Sequence, residues 1–232
     1  MTDLIWERAE PPERRVPGRL SRVAIVRTAL TLADADGLEA VSLRNVAGAL
    51  DVGPMRLYRY VDTKDELLDL LVDAVYGEIP PATGSTWADV LRSIAHGTRG
   101  AALRHPWFAE LLGGRPQFGP AALAHTEASL TALRTTGLED VDLLMGSLGS
   151  LSSYVIGAVR KETTEHRAEQ ASGLNQREFQ QLTGPYLVRM FATGHYPSLE
   201  RSVREASHLT PSESFDLGLQ LLVDGVAHRL GQ

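Results

Sequence analysis

The segment VGPMRLYRYVDTKDELL, residues 52–68, places two tyrosines, two arginines and a lysine on one short stretch of chain. Arginine, lysine and tyrosine side chains donate hydrogen bonds to phosphate oxygens, and an arginine can also donate two bonds to a guanine edge in the major groove. In a helix, Leu57 and Val61 would point inward, whereas Arg56 and Tyr60 would flank an outward strip. The segment therefore predicts a DNA-reading face, although ordinary solvated helices have a similar composition.

Three predicted helices lead into and include this segment. Ser21 caps the first, which Asp36-Gly37 stops, and Ser42 caps the second. The break at residues 51–53 has about the length of the tight turn in a helix-turn-helix. Pro54 suits the first position of a third helix, because its missing N–H costs nothing there.

The third helix is expected to end near Val61 or Asp62, where a fourth begins. Residues 63–66, Thr-Lys-Asp-Glu, match a capping box in which the Thr63 hydroxyl and the Glu66 carboxylate reciprocally satisfy free N–H groups. The free N–H groups of this helix start, beside Lys64, would add a phosphate-binding site. This order of elements favours DNA binding over a merely solvated face.

The charge of the chain is unevenly distributed. The 232 residues carry a net charge of −6, yet residues 14–64 hold nine basic and five acidic side chains. That distribution argues against indiscriminate nucleic-acid affinity and is compatible with a local basic surface. Arg14, Arg15 and Arg19 precede the first helix and could reach a minor groove.

Several classes of protein lack support in the sequence. The chain has no cysteine and its first 20 residues contain no apolar signal segment, so we expect a cytoplasmic protein. Residues 143–159 are uncharged but short and interrupted for a membrane span, which favours a buried helix and no membrane partner. The histidine spacing predicts no metal site, and no phosphate loop, nucleophile elbow or dinucleotide fingerprint occurs. We therefore predict no catalytic residue and no cofactor.

Helical periodicity predicts an all-α fold with an N-terminal three-helix DNA-binding domain containing the helix-turn-helix and a larger C-terminal helical domain for ligand binding and dimerisation. The expected segments are a flexible N-terminal arm at residues 1–20, the DNA-binding domain at 21–79 and the C-terminal domain at 85–232. Residues 168–176 are predicted as a flexible loop. The C-terminal helices are predicted at residues 87–104, 106–112, 120–136, 139–165, 177–192 and 212–230.

Residues 42–71, SLRNVAGALDVGPMRLYRYVDTKDELLDLL, resemble the tetracycline-repressor (TetR) family of bacterial transcription regulators, above all in the pattern LYRYV-x-x-K-x-x-LL of residues 57–68. RHPWFAELL, residues 104–112, resembles the ligand-binding half of that family. The sequence departs from the family at Asp51, where Gly is usual, and at Arg56, where small or polar residues are common. The resemblance implies base contacts by Arg44, Pro54, Met55 and Arg56, and phosphate contacts by Tyr58, Tyr60 and Lys64.

The resemblance also implies a homodimer that binds double-stranded operator DNA and encloses a small-molecule effector. The residues themselves support a dimer, because two predicted helices each have a face of small residues that allows close approach. The same faces could instead pack within one chain. They comprise Gly146, Gly149, Ser150, Ser153 and Gly157 on one helix and Phe215, Gly218, Leu222 and Gly225 on the other.

Candidate walls of a mostly apolar effector cavity are Trp107, Phe108, Met145, Leu148, Tyr154, Tyr186, Met190 and Phe191. Candidate polar groups are Tyr154, His96, Arg99 and Arg160. Aromatic residues at helical spacing are more often plain core. The sequence therefore predicts a DNA-binding transcriptional regulator, a repressor that a small-molecule effector releases from operator DNA. The alternative is an all-α small-molecule-binding protein or enzyme with an incidental helix-turn-helix.

Overall fold

The computed structural model describes residues 4–11, 20–113, 117–207 and 209–231, and within them it contains helices and no strand. This confirms the all-α prediction. A short 3₁₀ turn, Leu38–Ala40, lies between the first two α-helices. The α-helices are α1 Arg22–Asp36, α2 Leu43–Ala49, α3 Pro54–Leu57, α4 Lys64–Tyr76, α5 Trp87–Arg104, α6 Phe108–Leu111, α7 Pro120–Thr135, α8 Val141–Ser172, α9 Gln176–Phe191, α10 Pro197–Glu205 and α11 Pro211–Arg229.

Side-chain caps begin α1, α2 and α4 in the N-terminal half, whereas α3 begins at Pro54 without one. The Ser21 hydroxyl accepts a hydrogen bond from the Ala24 N–H at 3.1 Å, and Thr63 accepts one from the Glu66 N–H at 3.1 Å. Each such cap stabilises its helix by about 1 kcal/mol. The capping-box prediction is half right, because the Glu66 carboxylate accepts from the Asp62 N–H at 2.7 Å, one residue before the cap.

Helix α3 is shorter than predicted. It ends at Leu57 instead of near Val61 or Asp62. The Tyr60 N–H donates to the Leu57 carbonyl at 2.8 Å, three residues back, so the last turn tightens into 3₁₀ geometry. Leu57, Tyr60 and Val61 nevertheless share one buried side, as residues three and four apart do on a helix.

Helix α4 joins the two halves of the molecule. It packs against α1 in the N-terminal half and against α6 and α7 in the C-terminal half. The Asp73 carboxylate on α4 accepts a hydrogen bond from the Ala122 N–H in the first turn of α7 at 2.9 Å, which fixes the two helices to each other. The last turns of α4 are therefore linked to the C-terminal half, whereas its first turn belongs to the N-terminal half.

Helices α5, α8 and α11 form the centre of the C-terminal half. The buried residues of α8 follow three- and four-residue spacing and include Leu144, Leu151, Val155 and Val159. By length and composition alone α8 could cross a membrane, a test that the core helix of a helical bundle also passes. Here its buried stripe packs against α5 and α11.

Two elements of the C-terminal half differ from the sequence prediction. Helix α8 continues to Ser172, so residues 168–172 are helical and not part of a loop. Adding residues to an existing helix is favourable compared with starting one, and Gly173, at a φ of 70°, ends it. Helix α10, Pro197–Glu205, was not predicted, because it buries no residue and so shows no apolar stripe.

The start of the chain is packed, which contradicts the prediction of a flexible arm for residues 4–8. Ile5 is buried and Trp6 packs against the core. The Arg8 guanidinium forms ion pairs with Asp62 and Glu66, and the Arg22 side chain donates to the Arg8 carbonyl at 2.6 Å. Arg14, Arg15 and Arg19, the proposed minor-groove contacts, lie outside the described residues.

Candidate nucleic-acid interface and ligand cavity

The turn between α2 and α3 reverses the chain within a few residues. Asp51 adopts a left-handed conformation with a φ of 52°, the only non-glycine residue in the described chain with a positive φ. The N–H of Val52 donates to the Ala47 carbonyl at 3.0 Å and closes the turn. Pro54, the first residue of α3, follows this turn and is exposed.

The exposed surface beyond this turn carries most of the predicted DNA-binding residues. Met55 is 77% exposed and Tyr58 is 47% exposed, while Leu57 between them is fully buried. A methionine so exposed at the tip of a helix buries nothing within its own chain and is available to a partner. The predicted residues that are exposed are Arg44, Pro54, Met55, Arg56, Tyr58 and Lys64.

Lys64 occupies the first position of α4, where free backbone N–H groups favour an anion. Its ammonium donates to the Leu38 carbonyl at 3.2 Å, which holds it over the connection between α1 and α2. The acidic groups Asp62 and Glu66 lie next to it and would repel a phosphate. Arg8 offsets that repulsion through its ion pairs with both carboxylates.

Tyr60 does not belong to this surface. Its side chain is 3% exposed and its hydroxyl donates to the Leu20 carbonyl at 3.1 Å. The prediction that Tyr60 holds a phosphate is therefore wrong in this structure. The physical reason is its position three residues after Leu57, which places its ring on the buried side of the segment.

A cavity of about 140 Å³ lies between α4, α5, α7 and α8. Drug-sized ligands occupy cavities of roughly 300–1,000 Å³, so a larger ligand requires these helices to move apart. The lining is mixed apolar and hydroxyl-bearing. It consists of Tyr76, Ile94, Thr98, Leu112, His125, Thr126, Ser129, Leu148, Leu151, Ser152 and Val155.

Tyr76 and His125 give the cavity its aromatic and titratable character. Their ring centroids are 5.7 Å apart. Burial raises the pKa of the Tyr76 hydroxyl and lowers the pKa of His125, so both groups stay neutral at neutral pH. A neutral imidazole offers one donor and one acceptor to a ligand.

Of the residues predicted to wall an effector cavity, Leu148 lines this one, whereas Tyr154 lines a cleft of about 600 Å³ and Trp107 one of about 790 Å³. Trp107 and Phe108 are fully buried core residues. Met145 and Tyr186 are exposed, and Phe191 is buried at the end of α9 without lining the cavity. The residues of this cavity that the sequence did not single out include the hydroxyl-bearing Thr98, Thr126, Ser129 and Ser152.

Tyr154 and the predicted polar groups also serve packing. The Tyr154 hydroxyl donates to the Phe215 carbonyl of α11 at 2.6 Å. Arg99 forms an ion pair with Glu162 at 3.0 Å. Arg160 donates to the Ala109 and Leu112 carbonyls, both at 2.8 Å, and His96 lies 3.3 Å from Asp216. None of the four lines the cavity.

No group of three or more metal-ligating side chains occurs among the described residues.

The two helix faces that are rich in glycine, one on α8 and one on α11, differ from each other. A Cβ added at Gly146, Gly149 or Gly157 would meet no atom within 4 Å, so this face of α8 is open. A Cβ at Gly218 would lie 2.4 Å from the Tyr154 hydroxyl, so Gly218 is required for packing within the chain.

A helix-turn-helix with an exposed tip, joined by one helix to an all-helical domain that contains a cavity, is the architecture of a ligand-responsive DNA-binding regulator. Residues 80–230 match the family described as "Tetracyclin repressor-like, C-terminal domain". The chain is 36% identical over 237 residues to the HTH-type transcriptional repressor DrrR1 of Streptomyces coeruleorubidus, covering 99% of this chain and 87% of that protein. The chain belongs to the TetR family of transcriptional regulators.

The ActR protein of Streptomyces coelicolor has a similar structure. Its apo form has a TM-score of 0.76 and 30% identity, covering 92% of this chain and 96% of that chain. Its complex with actinorhodin has a TM-score of 0.76 and 30% identity, covering 90% of this chain and 95% of that chain.

Proposed function

We propose that this chain is a homodimeric repressor that binds operator DNA through α2 and α3 and releases it when a small molecule occupies the α4–α8 cavity. The observation that carries the DNA-binding part is the exposed tip of α3. Met55 and Tyr58 project outward on either side of the buried Leu57. In the N-terminal half this arrangement places a large apolar side chain, a phenol and several cations on one exposed surface, the groups that base edges and phosphates contact.

Individual roles follow from position on this surface. Arg44 on α2 and Pro54, Met55 and Arg56 on α3 contact base edges, with arginine favouring guanine. Tyr58 and Lys64 contact phosphates and set the register of the protein on the duplex. Arg8 supports Lys64 by neutralising two adjacent carboxylates.

The effector is a small, mostly apolar molecule with hydrogen-bonding groups. ActR has been solved in complex with actinorhodin, which supports the binding of a small molecule by this chain. Because the cavity here is about 140 Å³, entry of the effector displaces its walls. Tyr76 at the end of α4 belongs to those walls, whereas Lys64 begins the same helix, so the displacement reaches the DNA-binding surface.

The homodimer forms through the open faces of α8 and α11. Gly146 and Gly149 allow the backbones of two α8 helices to approach closely. Met145, Leu217 and Leu221 are exposed apolar residues of these two helices that a second copy would bury. A dimer also places two reading helices about 34–36 Å apart, on successive major grooves. We infer a cytoplasmic protein without a catalytic activity, a cofactor or a membrane partner.

A gel-shift titration across salt concentrations tests the proposal. Selective binding to one DNA sequence, with affinity that falls steeply as salt rises, is the expected result because phosphate contacts release counterions. Absence of any preferred sequence even at low salt would favour an all-α carrier or enzyme.

Two variants separate base contacts from phosphate contacts. Arg44→Ala should weaken the base preference at one position in each half-site. The binding free energy should fall by about 1–3 kcal/mol on cognate DNA only. Lys64→Ala should weaken cognate and scrambled duplexes alike and reduce the salt slope by about one. An equal loss on both duplexes for both variants would contradict these role assignments.

A further inference from the structure

His105 lies between the DNA-binding half and the C-terminal half, at the point where α5 ends and the chain turns into α6. Its side chain is buried, and both ring nitrogens face a carboxylate. Nδ1 is 2.7 Å from Asp34 Oδ1 on α1, and Nε2 is 3.0 Å from Glu78 Oε2, just after α4. One imidazole ring therefore bridges two elements of the N-terminal half from a residue of the C-terminal half.

The hydrogen-bond chemistry of this bridge requires a charged ring. A neutral imidazole has one N–H, whereas the imidazolium has two. Asp34 Oδ1 also accepts from the Trp107 indole N–H at 2.7 Å, and the Arg104 guanidinium lies 3.5 Å from Glu78 Oε2. Both carboxyl oxygens are therefore acceptors, and only the imidazolium of His105 can donate to both.

We propose that His105 is a positioning residue that, as an imidazolium, holds the DNA-binding half in the orientation that binds operator, and that loss of its proton releases this half. The inference rests on the proposed function. A fixed orientation favours DNA binding because the α3 helices of both protomers must enter two major grooves at once. Restricting the DNA-binding halves before binding lowers the entropy cost of forming the complex.

The titration of His105 sets the direction of the pH effect. Burial acts to lower the pKa of the ring, but hydrogen bonds and charges from Asp34 and Glu78 outweigh it and raise the pKa above its ordinary value of 6.5. A raised pKa in the linked state means that the link is complete below pH 6.5 and is lost as pH rises through the raised value. Operator affinity should therefore fall on going from mildly acidic to mildly basic solution.

The same segment touches the cavity wall. Trp107, which fixes Asp34, packs edge-on against Phe108 with ring centroids 6.4 Å apart. Phe108 packs edge-on against Tyr76 at 5.4 Å, and Tyr76 lines the cavity. An effector that displaces Tyr76 therefore disturbs the segment that carries the His105 bridge.

Operator affinity of the full-length protein at about pH 6 and about pH 8.5 tests the inference. The wild type should lose severalfold more affinity over this interval than His105→Gln, because the raised pKa of His105 lies within or above it and the variant has no group that titrates there. His96→Gln is the matched control, because His96 is an exposed histidine beside a single carboxylate, that of Asp216 at 3.3 Å. The control should keep the pH dependence of the wild type.

A second readout does not depend on DNA. Because the chain has no cysteine, a spin label on Arg27→Cys, exposed on α1, reports the distance between the two DNA-binding halves of the dimer. The distance distribution should be narrow at about pH 6 and broader at about pH 8.5, and His105→Gln should be broad at both.

Three results would overturn the inference. They are a pH dependence of affinity shared by His105→Gln, a higher wild-type affinity at basic pH, and a His105 pKa at or below 6.5 by NMR titration. If His105→Gln fails to fold, Glu78→Gln decides, since an amide at this position permits a neutral ring and should reduce the pH dependence. Failure of the wild type to select any DNA sequence would remove the proposed function, and the label distances would still report on the bridge.

Discussion

Asp51 has a left-handed backbone conformation, which is unfavourable for a residue that carries a Cβ. At a φ of 52° an L-residue with a Cβ is strained, and the residue usual in the family at this position is Gly. We predict that Asp51→Gly is neutral or stabilises by up to about 0.5 kcal/mol, while Asp51→Ala destabilises by about 1 kcal/mol. Urea unfolding of the three proteins measures the difference.

The comparison of the two variants contains its own control. Both remove the Asp51 carboxylate, so only the Cβ separates them. Equal stability of the Gly and Ala variants would show that the turn relaxes to another conformation. The hydrogen bond from the Val52 N–H to the Ala47 carbonyl would then not enforce the left-handed backbone at residue 51.

Tyr60 shows which part of the DNA-binding surface could be predicted from sequence. Leu57 and Val61 were predicted as inward residues, and both are buried. Tyr60 shares their side but was assigned to the surface, because a hydroxyl suggests a polar partner. That partner is the Leu20 carbonyl, a residue 40 positions away, which no local pattern reveals.

At the scale of elements, the contact between α8 and α11 depends on a missing side chain. The Tyr154 hydroxyl bonds to the Phe215 carbonyl at 2.6 Å across the Gly218 backbone. Gly218→Ala would place a methyl group 2.4 Å from that hydroxyl. We predict destabilisation by about 1–3 kcal/mol, measured by thermal or denaturant unfolding.

Gly100→Ala on α5 is the matched control for this prediction. Its added methyl group would meet only the Arg104 side chain at an ordinary 3.8 Å. Because Ala is the better helix former, this variant should stabilise the protein by up to about 1 kcal/mol. Comparable stability of the two variants would mean that Tyr154 moves aside freely.

Helix caps and apolar stripes allowed most elements to be predicted, and the failures have physical causes. Ser21, Ser42 and Thr63 cap helices where the sequence placed them. Helix α10 buries nothing and was missed. Most walls of the 140 Å³ cavity could not be picked out from sequence, because they come from four helices whose mutual rotation depends on tertiary packing and not on the period within any one of them.

At the scale of the whole molecule, the open face of α8 makes a prediction about assembly. The Cβ that Gly149→Leu adds would meet nothing within 4 Å in its own chain, so we expect the protomer to fold normally. If two α8 helices pack there, the dimer dissociation constant should rise at least about tenfold, equivalent to about 1.4 kcal/mol. Sedimentation at several concentrations measures it.

Gly48→Leu provides the control, because Gly48 on α2 is equally open and lies in the DNA-binding half. This variant should dimerise as the wild type does. Unchanged dimerisation of Gly149→Leu would place the subunit interface elsewhere and leave the exposed apolar residues Leu217 and Leu221 of α11 as its candidate.

Helix α8 has one further consequence. Leu148, Leu151, Ser152 and Val155 line the cavity from this helix, and Gly146, Gly149 and Gly157 stand on its open face. If α8 contacts both the effector and a second subunit, effector binding and dimerisation are coupled. Each equilibrium then changes the other by the same factor. The copy number of the regulator in a cell would then shift the effector dose at which it responds, because dilution alone loosens the subunit contact that shapes the cavity.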